Sequence, residues 1–185
     1  MKLYGDFTKE DWLNTFKAEN TQIPCSFIIH GEYNHDINLN MWSDMLKDEI
    51  WLPKWNTVVG KHNGINIGYA NVFGGPMAAT VVHQFGMAGT NQFIQTGYMG
   101  GLSNDVKYGE IFIVTEAGMQ DGVSHWYLSD QKVVKSDEHL TDEAINYCEK
   151  KGYRYSTGST MSTSAMLLET TEMINKWISN GFFRR

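Results

Sequence analysis

The chain has 185 residues, 42% apolar, 13% aromatic and 19% charged, with a formal net charge of −6. That length suits one domain able to bury about 70% of its unfolded surface, and the aromatic content excludes a disordered polar tail. An acidic chain without a block of Lys or Arg is a poor nucleic-acid binder, so no nucleic-acid partner is expected.

Thr8 to Ala18 reads as a short amphipathic helix: Thr8 caps it, Asp11 sits at its third position, and Trp12, Leu13 and Phe16 share a face. Ser26 to His30 reads as a buried strand opening into the polar loop Gly31-Glu32-Tyr33-Asn34. Met41 to Leu46 reads as helical. Trp42, Trp51 and Trp55 bracket Lys47-Asp48-Glu49, which suggests a helix packed over the sheet or a subunit contact. Trp55 to Gly60 and Ile65 to Phe73 read as paired strands around Asn63-Gly64, two residues that tolerate positive φ. Gly74-Gly75-Pro76 starts a helix to about Phe85, and its glycines allow close backbone approach. Gln92 to Thr96 is a strand ending in Gly97-Tyr98-Met99-Gly100-Gly101, and Glu110 to Thr115 is another. Thr141 to Lys151 is a helix, capped by Ser136 or Thr141 and stopped by Gly152; Leu167 to Ser179 is the last, closed by Asn180-Gly181. The alternation indicates a single α/β domain over residues 1–185 with a parallel or mixed sheet. Phe182-Phe183 after that terminator reads as the start of a strand, so the C-terminus is expected to be cut short.

Cys25 and Cys148 cannot build a disulfide framework and suit a reducing compartment, and neither has metal-ligand spacing, so no metal is expected. There is no signal segment and no apolar run near ~18 residues, so a cytoplasmic protein with no membrane partner is expected.

In open α/β sheets ligands bind beyond the carboxyl ends of strands. Three such ends carry suggestive residues: His30-Gly31-Glu32-Tyr33-Asn34-His35, Gly74-Gly75-Pro76, and Gln95 through Leu102. Each alone is ordinarily a turn. Taken in order with Val106 to Val114, Asp121 to Leu128, Thr157 to Thr160 and Ser162 to Thr170, they resemble the purine nucleoside phosphorylase and uridine phosphorylase superfamily, over about Phe27 to Gly181. The resemblance implies a mixed sheet folded toward a barrel and flanked by helices. It implies cleavage of a nucleoside N-glycosidic bond by phosphate or water, and a homo-oligomer in which a neighbouring subunit often completes the site. The small-molecule partner would be a nucleoside. No cofactor is implied, and inorganic phosphate enters only as the co-substrate of a phosphorylase.

Carried over residue by residue, the resemblance puts Gly31, His35, Gln95, Gly97 and Tyr98 on the nucleophile side, with Gly74 and Gly75 allowing backbone approach. Ser124, His125, Tyr127 and Met166 fall on the nucleoside side. Trp126 and Tyr127 wall the pocket or pack at the sheet edge, and Met166 covers the base or belongs to the core. The sequence departs where the family binds phosphate: His35 and Gln95 stand where arginines are usual, and Tyr98 replaces a small hydroxyl residue. Hydrolysis is therefore expected ahead of phosphorolysis. The family's ribose-binding Met-Glu pair and leaving-group acid would fall beyond Phe183, so no catalytic residue is assigned; Glu32 is a possible base or a solvated carboxylate. His62, His83 and His139 form no catalytic triad. The alternative is a catalytically inactive nucleoside-binding or interaction module on the same fold.

Overall fold

The computed structural model describes residues 2–32, 35–52, 57–101, 103 and 105–182. The chain divides into two compact units, Met1–Tyr98 and Met99–Arg185.

In the first unit, Thr8 caps helix α1 (Lys9–Phe16): the Asp11 amide donates to the Thr8 hydroxyl at 3.4 Å, and the Thr8 amide donates to the Asp11 carboxylate at 2.6 Å. The remaining elements are β1 (Ser26–Gly31), α2 (His35–Met45), β2 (Lys47–Leu52), β3 (Thr57–His62), β4 (Ile65–Val72), α3 (Gly75–Ala88) and β5 (Gln92–Gly97). They form a five-stranded mixed sheet in the order β2-β3-β4-β1-β5. β1 runs parallel to β4 and β5, while β3 is antiparallel to both neighbours.

Strand alternation decides which helices cover which face. Phe27 and Ile29 of β1 join Ala70 and Val72 in a cluster with Trp12 and Phe16 of α1 and Val81 and Phe85 of α3. Ile28, on the opposite face, packs with Tyr69, Val58 and Ile67 under Leu39 and Trp42 of α2. Trp42 stacks on Tyr69 at 5.1 Å. Burial pushes the Tyr69 phenol up to about 12. Gly68 makes the first cluster possible: a β-carbon there would stand 2.4 Å from the Phe27 ring and 2.9 Å from Pro24.

The second unit holds a three-stranded sheet, β7-β6-β8. β6 (Ile111–Gln120) is parallel to β8 (Tyr155–Thr163) and antiparallel to β7 (Val133–Lys135). Between them lie the one-turn α4 (Ser124–Tyr127) and α5 (Glu138–Lys151), and α6 (Thr171–Ser179) follows β8. Trp177 of α6 is buried, its indole N–H donating to Gln120 at 3.0 Å.

Several expectations shift. The described strands make two open sheets rather than a closed barrel. The helix placed at Met41 begins at His35 and ends at Met45. Lys47-Asp48-Glu49 lies in β2, a charged edge strand, not in a helix. The cap of α5 is Asp137, whose carboxylate accepts the Leu140 amide at 2.9 Å, while Gly152 ends the helix at φ 68° as expected. The last helix is split: Met166–Leu168 is a 3-10 turn, and α6 starts after Thr170. Trp55 and Phe183 lie outside the described residues.

No helix among the described residues is long and apolar enough to cross a membrane.

Two measurements check this packing. Gly68→Ala should destabilise the chain by about 1–3 kcal/mol in urea unfolding, because β1 and Pro24 must shift to admit one methyl group. The Lys2 ammonium, the Thr8 hydroxyl and the Thr8 amide hold the Asp11 carboxyl down from 3.8 to about 2. Its stabilising effect is therefore complete above 3.8 and is lost as pH falls toward 2. Asp11→Asn should flatten that limb of melting temperature against pH and leave the neutral side of the curve unsloped by this group.

Candidate functional site

Gly31, the last residue of β1, pairs in register with Val72 of β4 on one side and Gly97 of β5 on the other. The three parallel strands thus end together, and their turns leave from one edge of the sheet. A β-carbon on Gly97 would lie 3.2 Å from the Gly31 carbonyl oxygen, so this edge is drawn tight at its centre. Gly74, after β4, has φ 84° and ψ 156°, a conformation open essentially to glycine alone. It is the N-cap of α3 and offers no side-chain cap; Gly75 opens the helix and Pro76 follows.

The two faces of this edge differ. Gln95 shares the parity of Phe93, which packs with the α1–α3 cluster, and so lies on the α3 side of the sheet. His30 and Thr96 share the opposite face, in one row with Asn71. His30 Nδ1 is 2.8 Å from Thr96 Oγ1, and its Nε2 is closed to solvent with no hydrogen-bond partner among the described residues. The His30 ring lies over Tyr69 at 6.4 Å and meets Tyr98 edge-on at 6.3 Å. Asn71 accepts from the Tyr69 hydroxyl at 3.4 Å and donates to the Glu32 carbonyl at 2.9 Å, tying the turn after β1 to the neighbouring strand. Tyr98 is exposed just past β5. His35 is the first residue of α2, and Tyr33 and Asn34 lie outside the described residues.

The second unit gathers its residues in the same way. Gln120 and Thr163 are paired at the carboxyl ends of β6 and β8, so the segments carrying Ser124, His125 and Tyr127 and carrying Met166 leave from one edge. The Gly122 amide donates to Ser164 at 3.2 Å and joins the two segments. Asp121 organises the first of them: one carboxylate oxygen accepts the Val123 and Ser124 amides at 2.8 and 2.7 Å, and the other accepts the Ser124 hydroxyl. Burial pushes this carboxyl up, but the Ser124 hydroxyl and the backbone amides outweigh it and hold the group below its ordinary value. Trp126 and Tyr127 are both exposed, and Met166 is half exposed.

Sequence reasoning reached the strand tips and named His30 and Thr96 within them without giving either a role, and it did not single out Asn71. The signal was there: in Ser26-Phe27-Ile28-Ile29-His30, alternation sends Ile28 and His30 to one face. One further compositional fact bears on charge. The chain's arginines are Arg154, Arg184 and Arg185, so residues 1–98 contain none. Among the described residues no group of three His, Cys, Asp or Glu is placed to hold a metal ion.

The model of the Phosphorylase superfamily matches residues 48–182. Guanosine phosphorylase from Halorubrum lacusprofundi is 26% identical over 104 residues, which are 56% of this chain and 43% of that protein. The chain thus spans less than half the length of that relative. Uridine phosphorylase from Vibrio fischeri ES114 has a similar fold, with a TM-score of 0.78 at 20% identity over 89% of this chain and 70% of that one. Its complex with 6-hydroxy-1-naphthoic acid gives 0.77 at 20% identity, over 89% and 69%.

Asp121→Ala removes the acceptor for two amides and a hydroxyl. Hydrogen bonds to charged groups contribute about 1.5–3 kcal/mol, so exchange of the Val123 and Ser124 amides should speed up about tenfold or more. Mass-resolved hydrogen exchange measures this, with α5 as the unchanged internal reference.

Proposed function

The chain belongs to the Phosphorylase superfamily, and on that premise we propose that it cleaves the N-glycosidic bond of a nucleoside, with water rather than phosphate as the nucleophile. The observation that carries the choice of water is the absence of arginine from residues 1–98, which supply all the strand tips on the nucleophile side. A phosphate dianion needs several charge-assisted donors, each contributing about 1.5–3 kcal/mol. Gln95, Thr96 and Tyr98 offer neutral amide and hydroxyl groups instead, which suit a neutral oxygen nucleophile.

In this reading Gly31, Gly74, Gly75 and Gly97 let ligand approach the backbone, and Gln95, Tyr98 and His35 line the nucleophile side. In the second unit Ser124 and His125 are the proposed hydrogen-bonding contacts of the nucleoside, with Tyr127 and Met166 as apolar ones. The reaction uses no cofactor, and phosphate enters only if the nucleophile assignment is wrong. A cytoplasmic setting is part of this reading, and the free, exposed Cys25 thiol, which suits a reducing compartment, supports it. Leu167 is 90% exposed and Trp126 79%, and self-association is the proposed means of covering such surface.

Incubation with inosine, guanosine, adenosine and uridine, with and without phosphate, should release free base equally in both conditions. Release only with phosphate would make the chain a phosphorylase. Saturable nucleoside binding without release would favour the inactive module. Light scattering should give a mass well above the 21.1 kDa of one chain; a monodisperse monomer would contradict self-association.

A further inference from the structure

His30 occupies a position that packing alone does not explain. Its ring fills space between Tyr69 and Tyr98, and its Nδ1 is held by Thr96 Oγ1 at 2.8 Å. Its Nε2 meets no donor or acceptor among the described residues and is closed to solvent. A buried ring nitrogen without a partner is costly, and a phenylalanine would fill the same volume without that cost. The atom lies one residue inside Gly31, at the edge where β4, β1 and β5 end together.

We propose that His30 is the nucleophile-binding residue of this edge, its Nε2 reserved for the oxygen that attacks the sugar. The inference rests on the glycosidic-cleavage reading above. Thr96 sets the chemistry. When Nδ1–H donates to Thr96 Oγ1, Nε2 presents a lone pair. A water held there gives one proton to Nε2 as its oxygen bonds to the anomeric carbon. The carbon–nitrogen bond breaks with its electron pair leaving on the base, which takes a proton from solvent. His30 then returns its own proton to solvent, so the sum is nucleoside plus water to sugar plus base. Reaching Nε2 takes a shift of the surrounding rings, and Tyr98, at the strand tip, lies outside the strand pairing and is exposed.

The test uses the full chain. His30→Asn keeps a group able to bond Thr96 and lacks Nε2; His30→Phe keeps the ring and removes both nitrogens; His62→Phe is the control. Base release at saturating nucleoside should fall about a hundredfold in both His30 variants with KM changed less than about threefold, and should hold in the control. His30→Phe should melt no lower than the wild type, because it removes an unpartnered buried atom. Two results overturn the inference: His30 variants releasing base within about threefold of an active wild type, or a His30→Phe melting temperature that drops by several degrees, which would assign His30 to the fold. A wild type that releases no base fails the glycosidic reading itself and takes this role with it.

Discussion

The pairing of β1 between β4 and β5 is the constraint from which the rest of the first unit follows. Parallel neighbours stand about 4.8 Å apart, so three strands ending in register place their turns within about 10 Å of one another. The register cannot slip, because Phe27 and Ile29 are committed to the α1–α3 cluster and Ile28 to the α2 cluster. A shift by one residue would move the first pair under α2 and drive His30 into the α1–α3 cluster. The packing that holds the sheet together therefore also aims the polar row Asn71, His30 and Thr96.

The polar row at that edge, Asn71, His30 and Thr96, carries no arginine or lysine. Asp121 spends its carboxylate on the Val123 and Ser124 amides and the Ser124 hydroxyl, and those bonds keep it ionised at neutral pH. It shapes the turn before α4. An oxygen nucleophile met by an imidazole nitrogen needs no fixed cation, whereas a phosphate dianion does. The difference between the two reactions thus comes down to which charges the strand tips carry.

The ends of the strands were legible because glycine marks chain reversal whatever surrounds it; Gly74 at φ 84° shows that demand directly. The capping of α1 was legible because Thr8 and Asp11 act locally. Elements whose stability is tertiary were not. β2 carries Lys47, Asp48 and Glu49, the charges of an edge strand, and resembles a helix surface when read alone. β8 is mostly Ser, Thr and Gly and has no apolar alternation; it is a strand because β6 pairs along its whole length. His30 is legible as a strand-tip residue, but its role is not, because the loop after β1 carries the more obvious polar groups. What it bonds is set by Thr96, 66 positions away, which no local pattern reveals.

In the proposed reading the coterminous ends of β1, β4 and β5 receive the ligand. Hydrogen exchange of the full chain with and without saturating nucleoside tests it most directly, since it reads occupancy whether or not turnover follows. Slowed exchange concentrated at Gly31, Gly74, Gly75 and Gly97, with α1 unchanged, is the predicted outcome. Protection elsewhere, or none at these tips under saturating nucleoside, would contradict it.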